Sequence, residues 1–145
     1  NDARGGTPLE MFRLELMDLI VAVRRGCDPL IVLLGPYFMN DFSYGGLAWT
    51  NASHDVLQAF NLVVAEVARE ADCLYSDVYH AYGGATWMVH YDGVHANDLG
   101  HRLVANTVFQ TLAQHSSGLA LRTRRLEQAS ERWRDESVLR AEYGY

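Results

Sequence analysis

The chain contains no lysine: all 12 of its basic residues are arginine, set against 18 Asp and Glu for a formal net charge of −6. With no basic stripe, phosphate neutralisation has little to work with, and nucleic acid is not an expected partner. No apolar run approaches the ~20 residues that a membrane-crossing helix needs, and residues 1–6 lack a signal-peptide pattern. The chain starts at Asn1 rather than Met, so a preceding segment is expected to have been removed. Cys27 and Cys73 are the only cysteines, too few for a disulfide framework. Each stands just before a candidate strand, and two buried free thiols are expected. The seven serines are 43, 53, 76, 116, 117, 130 and 137. None sits in a Gly-x-Ser-x-Gly elbow, a setting that presents a serine as a nucleophile.

What is present is enough for a core: 49% of the 145 residues are hydrophobic, and the length suits one domain. Leu9, Phe12, Leu16, Leu19, Ile20 and Val23 repeat at the 3,4 spacing of a helical face, with Thr7 and Pro8 as cap and first-turn residues and Gly26 as the end. Residues 30–34 form an unbroken apolar run closed by Gly35-Pro36, the pattern of a parallel strand covered on both faces. Val56, Leu57, Phe60, Val63, Val64 and Val67 predict a second helix capped by Asn51 or Ser53, and a weaker strand is expected over 73–78. Asn97 can cap a third helix whose face carries Leu99, Leu103, Val104, Val108 and Leu112. Helix, strand, helix, strand, helix reads as an α/β fold with parallel strands. Two strands do not make a stable open sheet, so more sheet is expected from elsewhere.

Composition shifts after residue 118. Residues 1–118 hold six Arg and 13 acids, whereas 119–145 hold six Arg and five acids. Leu126, Ala129 and Trp133 give this tail a thin apolar stripe, and it reads as an appended surface helix. The expected organisation is a domain over 1–118 and an Arg-rich helical extension over 119–145.

The chemistry concentrates in Tyr91-Asp92-Gly93-Val94-His95-Ala96-Asn97-Asp98-Leu99-Gly100-His101. An Asp-x-x-His turn lets the Asp92 carboxylate fold back onto Nδ1–H of His95, fixing the tautomer and leaving Nε2 as a general base. The loop over 35–50 leaves the carboxyl end of a strand, where α/β folds place ligands. It carries Tyr37, Phe38, Phe42, Tyr44 and Trp49, which either line an acyl or sugar pocket or cover the core. Trp87, His90 and Tyr91 admit the same two readings, and His101 reads as a packing or supporting residue.

The run from Asp92 to Ala105, with Asp-Gly-x-His, an Asn-containing turn, Gly-His and a helix, resembles the last block of the SGNH, or GDSL, hydrolases. It departs in having Ala96 where Pro is common. Asn1-Asp2 resembles the end of that family's Gly-x-Asn-Asp block, and the interval between the two blocks also fits. The resemblance covers roughly residues 1–115. It implies the C-terminal part of a three-layer α/β/α, flavodoxin-like fold with a parallel sheet, and hydrolysis of small-molecule esters such as acylated lipids or acetylated sugars. It further implies Asp92 and His95 as two members of a serine triad, Asn1 as an oxyanion donor, and no cofactor. The serine and glycine blocks and three strands are then expected ahead of Asn1, in a missing segment or a partner chain. Ser43, in a loop at the same sheet edge as the Asp92 turn, is the least implausible serine within the chain and is expected to be a loop residue.

Two other readings compete. His80, His90, Asp92, His95, Asp98 and His101 crowd into 22 residues, and imidazole with carboxylate suits Zn²⁺; the irregular spacing and the absence of His-Glu-x-x-His weigh against it. The other is a catalytically inert fragment or interaction module.

Overall fold

The computed structural model describes residues 1–27, 29–44, 47–115 and 118. Residues 1–111 form one compact unit. The Arg-rich helix expected over 119–145 lies outside the described residues, as do Ser116, Ser117, Ser130 and Ser137.

The elements, in order, are α1 (Asp2–Gly5), α2 (Leu9–Arg24), β1 (Val32–Leu34), β2 (Ser43–Tyr44), β3 (Leu47–Ala48), α3 (His54–Glu70), β4 (Leu74–Ser76), α4 (Val78–Tyr82), a single 3-10 turn (Thr86–Met88) and α5 (Asp98–His115). Strands β1 and β4 pair in parallel with Leu33 opposite Tyr75, while β2 and β3 form a separate antiparallel hairpin. The α/β architecture with a parallel pair is thus the one the apolar periodicity predicts.

Local chemistry sets the helix ends. Ser53 caps α3, its Oγ accepting the N–H of Val56 at 3.2 Å, which decides between the two caps the sequence offers. Leu57, Phe60, Val63, Val64 and Val67 of α3 are buried. Pro8, rather than Thr7, occupies the cap position of α2, and the Thr7 hydroxyl instead donates to Asp2 Oδ1. Of the apolar set in α2, Phe12, Leu16, Met17 and Ile20 pack with Val63, Val67 and Leu33, and Phe12 meets Phe60 edge-on at 4.8 Å. Leu9, Leu19 and Val23 stay exposed, because only the ridge through residues 12, 16 and 20 faces α3.

A second core gathers Val78 and Tyr82 of α4 with Val89, Tyr37, Leu103 and Val104. Here Gly100 is required by close approach: a Cβ at that position would run into the Tyr82 hydroxyl and the Met88 carbonyl. Leu99, expected inside, is exposed, and Gly100 and Thr111 take the buried positions of α5.

Three further expectations need correction. The strand predicted to run to Val78 stops at Ser76, because Asp77 caps α4 and turns the chain into a helix. The run over 30–34 is not covered on both faces. Leu33 points into the first core, but Leu30 and Leu34 are exposed, since the two-stranded sheet offers no neighbour on the far side of β1. Cys27 is exposed and Cys73 half-buried; both thiols are free.

Candidate active site

The Asp92 turn is built by backbone pairing on both sides of it. Val89 and Ala96 form an antiparallel bridge, His90 N–H donates to the His95 carbonyl at 2.6 Å, and Gly93 N–H donates to the His90 carbonyl at 2.9 Å. Gly93 adopts φ +75°, a conformation that glycine enters without steric cost. The turn is also held from outside, where the N–H groups of Asn40 and Asp41 both donate to the Gly93 carbonyl at 3.0 Å. Downstream, Asn97 Oδ1 accepts from Leu99 and Gly100 N–H at the start of α5, while its amide donates to the carbonyls of Trp87 and Val89.

Within this frame Asp92 uses both oxygens. Oδ1 accepts the backbone N–H groups of Val94 and His95 at 2.9 and 3.0 Å, and Oδ2 accepts Nδ1–H of His95 at 2.6 Å. The His95 backbone N–H, then the His95 ring, then the Val94 N–H all favour the charged form. They hold the Asp92 carboxyl well below the usual carboxylate range. The imidazole is more than half exposed. With Nδ1 committed to a carboxylate, Nε2 carries the lone pair, the state a general base needs.

His95 lines a cavity of about 520 Å³ together with Asn1, Asp2, Arg4, Tyr37 and Trp49. The structure therefore brings His95 and Asn1, two candidates separated by 94 positions, to one cleft. Asn1 sits at the start of α1 and its side chain makes no capping hydrogen bond, so its carboxamide is not consumed by the helix. The Arg4 guanidinium lies over the Trp49 ring, 5.2 Å from its centre. Burial and the nearby Asp92 charge push the Tyr37 phenol up, keeping it protonated.

The aromatic loop divides between the two roles its sequence allows. Tyr37 and Trp49 line the cavity, whereas Phe38 stacks on His54 at 4.9 Å and Phe42 meets the same ring edge-on at 5.0 Å. Trp87 and Tyr91 are highly exposed and do not line the cavity. His101 and His90 border a separate shallow depression beside Asn97 and Asp98.

No serine lines the cavity among the described residues. Ser43 donates to Asp41 Oδ1 at 2.8 Å, Ser53 caps α3, and Ser76 is fully buried. Among the described residues no three His, Cys, Asp or Glu side chains come together to hold a metal ion, so the crowded histidines do not form the expected alternative centre.

The sequence contains a second Asp-x-x-His, Asp77-Val78-Tyr79-His80, and it folds the same way. His80 Nδ1 lies 2.7 Å from Asp77 Oδ2, and His80 N–H donates to Oδ1 at 3.1 Å. Burial alone would raise the Asp77 carboxyl, but hydrogen bonds from His80 and Asn61 outweigh it and lower it. This pair caps α4 and does not line the cavity. The residue spacing alone could have revealed it.

A carboxylate-oriented imidazole and Asn1 thus line one cleft of the α/β fold. Residues 1–103 match the sequence pattern of the GDSL-like lipase/acylhydrolase family, and the chain belongs to that family. Solved structures share its fold. An α/β hydrolase from the metagenome of Lake Arreo, Spain, matches with a TM-score of 0.59 and 20% identity, over 74% of this chain and 48% of that one. The esterase domain of a zebrafish retrotransposon ORF1 protein matches with a TM-score of 0.60 and 20% identity, over 73% and 60%. An acetylxylan esterase from Geobacillus stearothermophilus matches with a TM-score of 0.55 and 17% identity, over 72% and 47%. The chain spans about half the length of the first of these structures. No curated protein matches the chain.

Proposed function

We propose that this chain carries the acid–base half of a serine esterase: His95 as general base and acid, Asp92 as its orienting carboxylate and Asn1 as an oxyanion donor. The nucleophilic serine, in this reading, comes from outside residues 1–145, in a preceding segment or a partner chain. One observation carries the proposal: the ring that Asp92 orients lines the same cavity as Asn1.

In the first half-reaction the serine oxygen attacks the ester carbonyl while His95 Nε2 takes the hydroxyl proton. Asp92 stabilises the imidazolium that results. The Asn1 carboxamide donates to the developing oxyanion, a contact typically worth about 3–4 kcal/mol of barrier. The tetrahedral intermediate collapses, the C–O bond to the alcohol breaks, and Nε2 returns its proton to the leaving alkoxide. Water then enters, gives its proton to Nε2 and releases the acid, restoring the serine.

The test is hydrolysis of p-nitrophenyl acetate, with an acetylated xylo-oligosaccharide as a second substrate, chosen because a solved neighbour is an acetylxylan esterase. The isolated chain is expected to show no serine-dependent turnover. Adding the segment or partner that supplies the serine restores hydrolysis, and His95→Ala abolishes it. Turnover by the isolated chain that survives both Ser43→Ala and His95→Ala would overturn the proposal.

A further inference from the structure

Asn1 and Arg4 lie three positions apart across the single turn of α1, in which the Gly5 N–H donates to the Asn1 carbonyl at 2.8 Å. Residues at that spacing share a helical face, with Cβ atoms roughly 5–6 Å apart. Both line the cavity that His95 lines. The Arg4 guanidinium rests 5.2 Å from the centre of the Trp49 ring, and the Trp49 backbone is tied down in turn, its N–H donating to the Phe42 carbonyl at 2.7 Å. A planar cation over a ring keeps its N–H edges for other acceptors.

Among the described residues, no carboxylate takes those edges. Arg13 pairs with Glu70 and Arg24 donates to the carbonyls of Ala71 and Asp72, whereas Arg4 enters no ion pair with a described residue. Asp2 also lines the cavity, but its Oδ1 accepts the Thr7 hydroxyl, and residues two apart on a helix do not face each other. Arg4 thus brings an exposed positive charge to the cleft of a chain whose net charge is −6.

We propose that Arg4, held over Trp49, is an anion subsite of the cleft, and that the ester taken there carries a carboxylate one helical turn away from the carbonyl that meets Asn1. The guanidinium fork matches a carboxylate with two parallel hydrogen bonds, which a neutral group does not reproduce. The short step from Asn1 to Arg4 sets the length of the substrate: the carboxylate sits a few carbons along the acyl chain, as in a monoester of a short dicarboxylic acid. Leu34, Pro36 and Val94 line the same cavity and offer apolar wall to the methylene groups between the two ends. The placing of the ester carbonyl rests on the esterase reading above; the anion subsite itself does not.

The test is an NMR titration of the whole chain with monomethyl glutarate, read at the Trp49 indole N–H, with dimethyl glutarate as the neutral counterpart. The charged ester is expected to bind about tenfold more tightly than the neutral one, the size of one charge-assisted contact, and this comparison requires no variant to fold. Arg4→Gln should remove the preference, and Arg4→Lys should restore part of it. The amino group of residue 1 is common to all three chains, so the change reports Arg4. Equal binding of the two esters, or a preference for the charged one that survives Arg4→Gln, would overturn the proposal. If Arg4-dependent binding is found while no complementation yields hydrolysis, the esterase reading fails and the anion subsite stands.

Discussion

Gly93 lies directly beneath Asp41: a Cβ added to Gly93 would collide with the Asp41 Cβ, and the Gly93 carbonyl accepts the N–H groups of both Asn40 and Asp41. The loop that leaves β1 thus clamps the turn that carries Asp92 and His95. Gly93→Ala meets two penalties, a side chain at φ +75° and a steric clash. The expected loss of stability is about 1–3 kcal/mol. Urea denaturation checks the loss, and the Asp92–His95 hydrogen bond, followed through the His95 Nδ1–H resonance, should weaken in parallel.

Acid stability should report Asp92. Its carboxyl is held below the ordinary value of 3.8 by hydrogen bonds that exist only in the folded state. A lowered folded value means that the stabilisation is fully present above the unfolded value and is lost as pH falls from there toward the folded one. Urea midpoints should be flat with respect to this group above about pH 5 and should decline below about pH 4. Asp92→Asn removes that part of the decline, because the amide does not titrate.

Asn61 offers a test of the fold away from the cleft. It is almost fully buried and bridges the sheet to α4, its Oδ1 accepting the Tyr75 hydroxyl at 2.7 Å and its amide donating to Asp77 Oδ1 at 3.2 Å. Asn61→Leu removes both hydrogen bonds, although Asp77 keeps those from His80, and a cost of about 1–3 kcal/mol is expected. Thermal unfolding measures it. Gly35→Ala, which would press a methyl group onto Asn61 Oδ1, should destabilise the same network.

In the complemented enzyme, Asp92→Asn should lower kcat by about 10³–10⁴-fold, because the imidazole loses the acceptor that fixes its tautomer. Asn1→Ala should lower it by about 10²–10³-fold with little change in KM, since the contact strengthens as the oxyanion forms. Steady-state kinetics on both variants separate the two roles.

Much of the site was legible because its determinants are local. An Asp and a His three apart make a turn in which one carboxylate reaches both the ring and the backbone of the other residue, and Ser53 and Asn97 announce helices a few positions on. The pairing of Asn1 with His95 was legible only through the resemblance of Asn1-Asp2 to the Gly-x-Asn-Asp block, and the structure lines one cavity with both residues. Less legible was anything that depends on contacts between distant segments. Asn61 falls in an amphipathic helix, where a polar residue reads as solvent-facing, and only Tyr75 and Asp77, brought up by β4, make burial tolerable. The residues after β1 gave no sign of which aromatic would reach the cleft, because Phe38 and Phe42 are drawn to His54, a ring 12 or more positions away. Asp77-x-x-His80 was legible by spacing, and its hydrogen bond to Asn61 was not.

The most direct test of the central claim is active-site labelling with a fluorophosphonate, analysed by peptide mass spectrometry. The chain together with its serine-supplying segment or partner should take one label, on a serine outside residues 1–145, and His95→Ala should prevent it. A label on Ser43 or any other serine of this chain, or labelling that is indifferent to His95, would contradict the account.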